Sequence, residues 1–283
     1  MSTSESTAAC GCSRDDVLAL PAIGAQSTLA DLLRLLGHAP VEGGPAFEPR
    51  FLNRRVHRGQ ALVFANQPLE SLYVVLSGSF RNTLNGAAGT QQVVGFPMRG
   101  DLIGLDAIRS GRYPVTVRAL EEANAAALPY RELVDLARTC AQIEQTILQA
   151  VSAELLRNYE VMRAIGVLGA EARLARFLHL LCERGARFGF ARDLLRLSMT
   201  RADLASYLGL SVETVCRAFT SLTARGIIDV RRRTVRVLDR ERFERADSIE
   251  PHSMQRACAA ARRRAPKSAA AVPAAPRAPA AVN

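Results

Sequence analysis

The chain has 283 residues, enough for about two domains of ordinary size, and a hydrophobic content of 48% excludes wholesale disorder. Aromatics are only 5% and Trp is absent, so the cores must be built mainly from Leu, Val, Ile and Ala, and no run approaches the roughly 18 apolar residues of a membrane helix. The net charge of +10 is unevenly spread: residues 1–167 carry 15 basic and 16 acidic side chains, 168–250 carry 16 and 11, and 251–283 carry 6 and 0, which suggests either a polyanion partner reached through the C-terminal part only or a basic chain that binds none.

The first residues, MSTSESTAACGCSRDD, are polar where a signal peptide would be apolar. The chain is therefore expected to be cytoplasmic, with no membrane partner and with its six Cys reduced. Residues 1–27 read as a flexible tail. A short helix follows in STLADLLRLLG, with Ser27 as its N-cap and Gly37 as its stop. From about Arg50 to Pro129 the texture becomes β-like: ALVF at 61–64, SLYVVLSG at 71–78, QQVVGF at 91–96 and VTVRAL at 115–120, punctuated by Gly, Pro and Asn. Short runs at this spacing predict an antiparallel sandwich or barrel over 28–129. LNGAAGT at 84–90 reads as a hairpin turn in which Asn85–Gly86 supplies the positive φ.

Beyond Tyr130 the period lengthens. Ile143, Ile147, Val151, Leu155, Met162 and Ile165 recur at helical spacing, with Asn158 the polar member of the row. This predicts one long helix over 130–168, either packed on its own domain or forming a dimer seam. Asn158 either sets helix register or spares a dimer axis the repulsion an acid would bring. A second helix covers about 170–184 before the turn GARFGF. Residues 246–283 read as a disordered, basic Ala/Pro-rich tail.

The strongest local signal is SMTRADLASYLGLSVETVCRAFTSLTARGIIDV, residues 198–230. Thr200 and Asp203 have capping-box spacing, which starts a helix at Arg201, and Leu204, Ala205 and Leu208 supply its apolar side. Gly209 suits the left-handed conformation of a tight turn, Ser211 caps the next helix, and Val215, Phe219 and Leu222 form that helix's buried stripe. Two short helices so joined make a helix-turn-helix within 169–245. Val212, Glu213, Thr214, Cys216, Arg217 and Thr220 then lie toward the exposed N-terminal side, where a recognition helix meets base edges, and Arg201 is a further DNA-contact candidate. Arg217 can donate twice to guanine, and Glu213 can accept from a cytosine or adenine amino group. Taken alone, Glu213 would be an acid favoured by the helix dipole and Arg217 a solvated charge; inside a complete motif on a basic domain they read as base contacts. IIDV and TVRVLD, around Arg231, Arg232 and Arg233, form a β-hairpin wing with a basic tip for phosphate contact. Cys216 is either a small residue fitted against DNA or a thiol switch in the groove.

Together, the Gly-punctuated roll, GDLIGLDAI at 100–108, the long seam helix and TRADLASYLGLSVETVCR with its wing resemble the Crp/Fnr superfamily of bacterial transcription regulators over roughly residues 28–240. The chain looks closest to the Fnr branch through GDLIGLDAIRSGRYP, ALEEANAAALPY and the E-x-x-x-R of Glu213 and Arg217. The resemblance implies an α+β chain: an N-terminal cyclic-nucleotide-binding-like β-roll (a double-stranded jelly roll), a dimerisation helix and a C-terminal winged helix-turn-helix. It also implies a homodimer on double-stranded DNA reading TTGAT-like half-sites, with RNA polymerase as a further partner. Cys216 stands where Fnr has Ser, which affects the outer base preference.

The sensor end departs from the family. Nucleotide-binding members carry a Gly-Glu and an Arg-Ser pair; here Gly104 precedes Leu105, and Tyr113–Pro114 replaces Arg-Ser, so a nucleotide phosphate would lack its cation. Fnr holds a [4Fe–4S] cluster on three N-terminal Cys and one central Cys. This chain has Cys10 and Cys12 near its start and Ala126 at the central position, while Cys140, Cys182, Cys216 and Cys258 lack ligand spacing. No cofactor and no metal site are expected. A ligand- or haem-gated roll is the alternative, with His38, His57 and His179 as candidate axial ligands. No nucleophile elbow, P-loop or zinc-protease helix supports an enzyme.

Overall fold

The computed structural model describes residues 24–38, 49–86 and 89–246. Its N-terminal part holds strands β1 (Gln26–Thr28), β2 (Arg50–Val56), β3 (Ala61–Val63), β4 (Ser71–Ser77), β5 (Phe80–Asn85), β6 (Gln91–Gly95), β7 (Leu102–Ile103), β8 (Val115–Ala119) and β9 (Ala123–Pro129), with helix α1 (Leu29–Leu35) after β1. They form two antiparallel sheets, ordered β1-β2-β9-β4-β7 and β3-β8-β5-β6. The expected jelly-roll class is therefore present. The sheets close over a core that includes Phe80, Val75, Val117 and Ala125.

Several boundaries differ from the sequence-based expectation. Ser27 does not cap α1. It lies in β1, which pairs with β2, and its hydroxyl donates to Asn53 Oδ1 at 2.9 Å. Thr28 is the cap, with Asp31 completing a capping box, so the roll begins before residue 28. The 84–90 segment does join β5 to β6, but the positive φ falls at Gly89 (+77°) and not at Asn85 or Gly86. β9 carries little sequence signal because Ala is a weak strand former. Its small side chains are what the central position between β2 and β4 requires. At Gly78 (φ +76°) an added Cβ would stand 2.7 Å from that of Ala123.

The single helix expected over 130–168 is two: α2 (Tyr130–Thr139) and α3 (Ala141–Val167), broken at Cys140, whose backbone is extended. The bend lets Leu133 on one side and Ile143 on the other enter the same apolar cluster with Leu29, Leu72 and Leu128. Packing decides the break, since neither Pro nor Gly marks it. Helix α4 (Ala170–Ala186) follows, then β10 (Leu194–Arg196), α5 (Arg201–Leu208), α6 (Val212–Ala224), β11 (Ile228–Arg231), β12 (Thr234–Val237) and α7 (Arg240–Ala246). The wing is three-stranded, ordered β10-β12-β11. α7 lies within the expected C-terminal domain but has no separate signal in the sequence; its Phe243 is buried.

The roll and the C-terminal module share one apolar cluster. Val93 and Phe96 of the roll pack with Leu174, Phe177 and Leu204. The rings of Phe96, Phe177 and Tyr207 meet at centroid distances of 5.1–5.7 Å. No described helix is long and apolar enough to cross a membrane.

Candidate nucleic-acid interface

The helix-turn-helix forms as its sequence dictates. Thr200 accepts from the Asp203 N–H while the Asp203 carboxylate accepts from Thr200, satisfying two N-terminal donors of α5. Gly209 ends α5 in the left-handed conformation (φ +64°), and Ser211 caps α6 by accepting from the Thr214 N–H at 3.1 Å. Leu204, Ala205 and Leu208 on α5 and Val215, Phe219 and Leu222 on α6 are buried together.

The opposite face of α6 is open. Val212, Glu213, Cys216, Arg217 and Thr220 are exposed, and Thr214 is half-buried with its hydroxyl joined to Ser211 at 2.8 Å. Arg217 and Glu213, 68% and 76% exposed at their side chains, pair one turn apart at 3.2 Å. Each can therefore hold the other in place and still present unused donors or acceptors outward. The Thr220 hydroxyl donates to the Cys216 carbonyl at 3.1 Å. Arg201 lies with its guanidinium carbon 3.2 Å from the centroid of the Phe219 ring, in a shallow cleft shared with Cys216 and Val230. Burial pulls its pKa below the usual arginine value, with Cys216 opposing.

At the wing, Arg231, Arg232 and Arg233 are all exposed. Arg231 pairs with Asp229 at 3.0 Å, Arg232 takes a left-handed φ of +56° at the tip, and Arg233 donates back to the Ser198 carbonyl. Base-reading candidates on α6 and cations on the wing and α5 thus belong to one module.

The expected seam is only partly a surface. Ile143 is 2% exposed, buried in its own chain's core, and so cannot lie in a seam, while Ile147 is half-buried and packs beside it. Val151, Leu155, Asn158, Met162 and Ile165 are exposed. Leu148, Leu156 and Tyr159, which lie outside the helical row read from the sequence, widen the apolar face.

In the roll, Gly104 (φ +98°) lets the Tyr113 ring approach, since an added Cβ would lie 3.1 Å from it. Tyr113 is buried, and its hydroxyl donates to the Ser71 carbonyl at 2.5 Å. Ala126 is fully buried on β9. Cys10, Cys12 and Cys258 fall outside the described residues. Cys140, Cys182 and Cys216 stand on separate elements, and no group of three or more potential metal ligands occurs among the described residues. His57 is exposed and contacts Glu122 at 3.0 Å, His179 stacks on Phe243, and His38 follows α1, so the three histidines are not brought together by one element.

Sequence reasoning missed the contacts that seat this module. Ser79 meets Ser198 at 2.6 Å, the Val93 N–H donates to Ser206 at 2.9 Å, and Arg81 pairs with Asp203. Asp101 receives Arg184 and lies 3.8 Å from Arg157. These pairings join residues far apart in the chain, and no local pattern marks them.

Two family models match the chain: a cyclic nucleotide-binding domain over residues 53–140 and a Crp-like helix-turn-helix domain over 172–246. The anaerobic regulatory protein of Haemophilus influenzae is 34% identical over 65% of this chain and 72% of its own length. The chain belongs to the Crp/Fnr family. The fumarate and nitrate reduction regulatory protein of Escherichia coli K12 is 35% identical over 62% of this chain and 70% of its own length. Among solved structures, FixK2 from Bradyrhizobium japonicum aligns with a TM-score of 0.64 at 24% identity, covering 71% of this chain and 98% of that one. A Crp-family transcriptional regulator from Thermus thermophilus aligns with a TM-score of 0.57 at 19% identity, covering 70% and 98%. As a Crp/Fnr member the chain is a transcription regulator with a DNA-binding helix-turn-helix, and its relatives are regulators and not enzymes.

Proposed function

We propose that this Crp/Fnr regulator binds a TTGAT-like palindrome as a homodimer, placing one α6 in each of two successive major grooves. The observation that carries the reading is the open face of α6. Glu213 and Arg217 project there one turn apart, and Arg201 lies in the cleft it shares with Cys216 and Thr220 on the same helix. Arg217 reads a guanine through O6 and N7, Glu213 accepts from an exocyclic amine, and Arg201, Arg231 and Arg232 hold phosphates. The apolar row from Leu148 to Ile165 on α3 supports dimerisation, because an exposed stripe of this kind is covered most readily by its own copy. RNA polymerase is the proposed downstream partner.

The same reading takes binding to be independent of cyclic nucleotide and of an iron–sulfur cluster. Tyr113 fills roll interior and brings no cation for a phosphate, and Ala126 offers a methyl group where a fourth thiolate would be needed. Neither group enters the mechanism. Footprinting of metal-free protein tests the proposal: protection of a symmetric site by the wild type and its loss in Arg217→Ala, with the dimer unchanged by sedimentation, are expected. Equal footprints for both proteins would refute the assignment of α6.

A further inference from the structure

We infer that Arg173, at the start of α4, is a positioning residue that sets the separation and angle of the two recognition helices, and hence the half-site spacing the dimer accepts. The inference rests on the dimeric, palindrome-binding reading above.

Arg173 donates to three carbonyls from three directions: Nη2 to Ile165 at 2.7 Å, Nε to Leu168 at 2.9 Å and Nη1 to Leu208 at 3.1 Å. Ile165 and Leu168 end α3, and Leu208 ends α5. Helix C-termini leave carbonyls unpaired and carry partial negative charge, so one cation joins two such ends. The interhelical turn closes on the same place, since a Cβ at Gly209 would lie 3.8 Å from Arg173 Nη1 and 3.9 Å from the Ile165 side chain.

Two neighbours on α4 complete the clamp. Arg176 donates to Glu160 of α3 at 3.1 Å. Glu171 accepts from the Ser221 hydroxyl at 2.5 Å and from Arg225, both at the C-terminal end of α6. Within two turns, α4 therefore holds the proposed dimer helix, the first helix of the motif and the recognition helix. The planar, five-donor guanidinium is the group suited to three fixed acceptors; an ammonium on a flexible stem is not.

Half-sites must lie about one helical turn apart to face the same side of the duplex, and each inserted base pair moves one of them by about 3.4 Å and a tenth of a turn. A rigid α3–α4–α5 junction punishes such displacement, whereas a loosened one tolerates it. The test is a titration of the full-length protein on a series of palindromic duplexes with spacers of two to six base pairs, plus a duplex with a single half-site. The wild type is expected to prefer one spacer by about tenfold or more, the effect of about 1.4 kcal/mol. Arg173→Ala should flatten this preference below about threefold while single-half-site affinity stays within about twofold. Arg173→Lys, which keeps the charge, and Glu160→Gln, which frees only the α3 tether, should broaden the profile less and serve if the alanine variant does not fold.

A purely structural role would lower all affinities together and leave the profile's shape intact, and that result overturns the inference. A wild type with no spacer preference overturns the dimeric reading and this inference with it. A sharp profile retained in the Arg173 variants overturns this inference alone.

Discussion

Arg81 on strand β5 of the roll donates to Asp203, the carboxylate that also caps the first helix of the helix-turn-helix. One side chain thus serves the local folding of α5 and its docking on the roll. Asp203 is 6% exposed at its side chain and Arg81 29%, so the pair is screened less than a surface ion pair.

Burial would raise the Asp203 pKa, but the N–H and hydroxyl of Thr200 and the Arg81 guanidinium outweigh it and hold the carboxyl below its usual value of 3.8. A depressed carboxylate contributes stability above the unfolded pKa and loses it as pH falls through the folded pKa. Wild-type stability in urea should therefore show an acid-dependent loss below about pH 4 that Asp203→Asn lacks. At pH 7, Arg81→Ala should cost about 1–3 kcal/mol and Asp203→Ala about 1 kcal/mol more, because the cap goes as well. Equal stability of wild type and Arg81→Ala would show that the docking pair contributes nothing.

Tyr113 offers a second test of the roll. Burial, reinforced by Tyr73, pushes its phenol well above the usual value of 10. A raised pKa contributes stability that is complete below the unfolded value and lost as pH rises toward the folded one. Between pH 10 and 11 the wild type should lose up to about 1.4 kcal/mol that Tyr113→Phe does not. Below pH 10 the variant should be weaker by about 1 kcal/mol for the missing hydrogen bond. Added cyclic AMP should leave the wild-type melting temperature unchanged; an upward shift would contradict a roll occupied by its own side chain.

Along α3, Met162 is 69% exposed and Leu156 61%. Met162→Glu or Leu155→Glu should change monomer stability by no more than about 0.5 kcal/mol, as expected for surface positions, and abolish the dimer in sedimentation experiments. Asn158→Asp should weaken the dimer in a salt-dependent manner, since it would bring like charges together across the proposed axis. Dimers that persist in all three would place the interface elsewhere.

How far the sequence determines these features depends on the range of the interactions behind them. Thr200, Asp203, Gly209 and Ser211 are readable because caps and turns are local: each residue acts on backbone within three or four positions. The buried stripe of α6 follows from helical period alone. The break at Cys140 is not readable, because it arises from Leu133 and Ile143 converging on one cluster, and the same convergence removes Ile143 from the seam. β9 stays hidden in an alanine-rich run whose strand character comes from its neighbours. Arg81, Arg173 and Arg184 reach acceptors tens of residues away, and a lone arginine in a sequence does not announce its acceptor.

The proposed base reading is accessible through one arginine. Arg217→Ala should lower affinity for the palindrome by about 1–3 kcal/mol per half-site and remove the preference for guanine at its position, while the salt dependence set by Arg231 and Arg232 persists. Replacing Arg231 or Arg232 should instead weaken binding to all sequences alike and shallow the salt slope by about 1 per subunit for each phosphate no longer neutralised. An Arg217 variant with the wild type's base preferences would exclude that side chain from readout.

The most direct measurement is a fluorescence-anisotropy titration of a TTGAT-N4-ATCAA duplex with protein purified once in air and once without oxygen, the iron content of each preparation being measured, against a scrambled duplex. Two subunits per duplex, an apparent Kd of about 10 nM or tighter in both preparations, and binding at least about a thousandfold weaker to the scrambled DNA are expected. Equal affinity for the two duplexes, or binding confined to an anaerobic, iron-containing preparation, would contradict a sequence-reading dimer that works without a cluster.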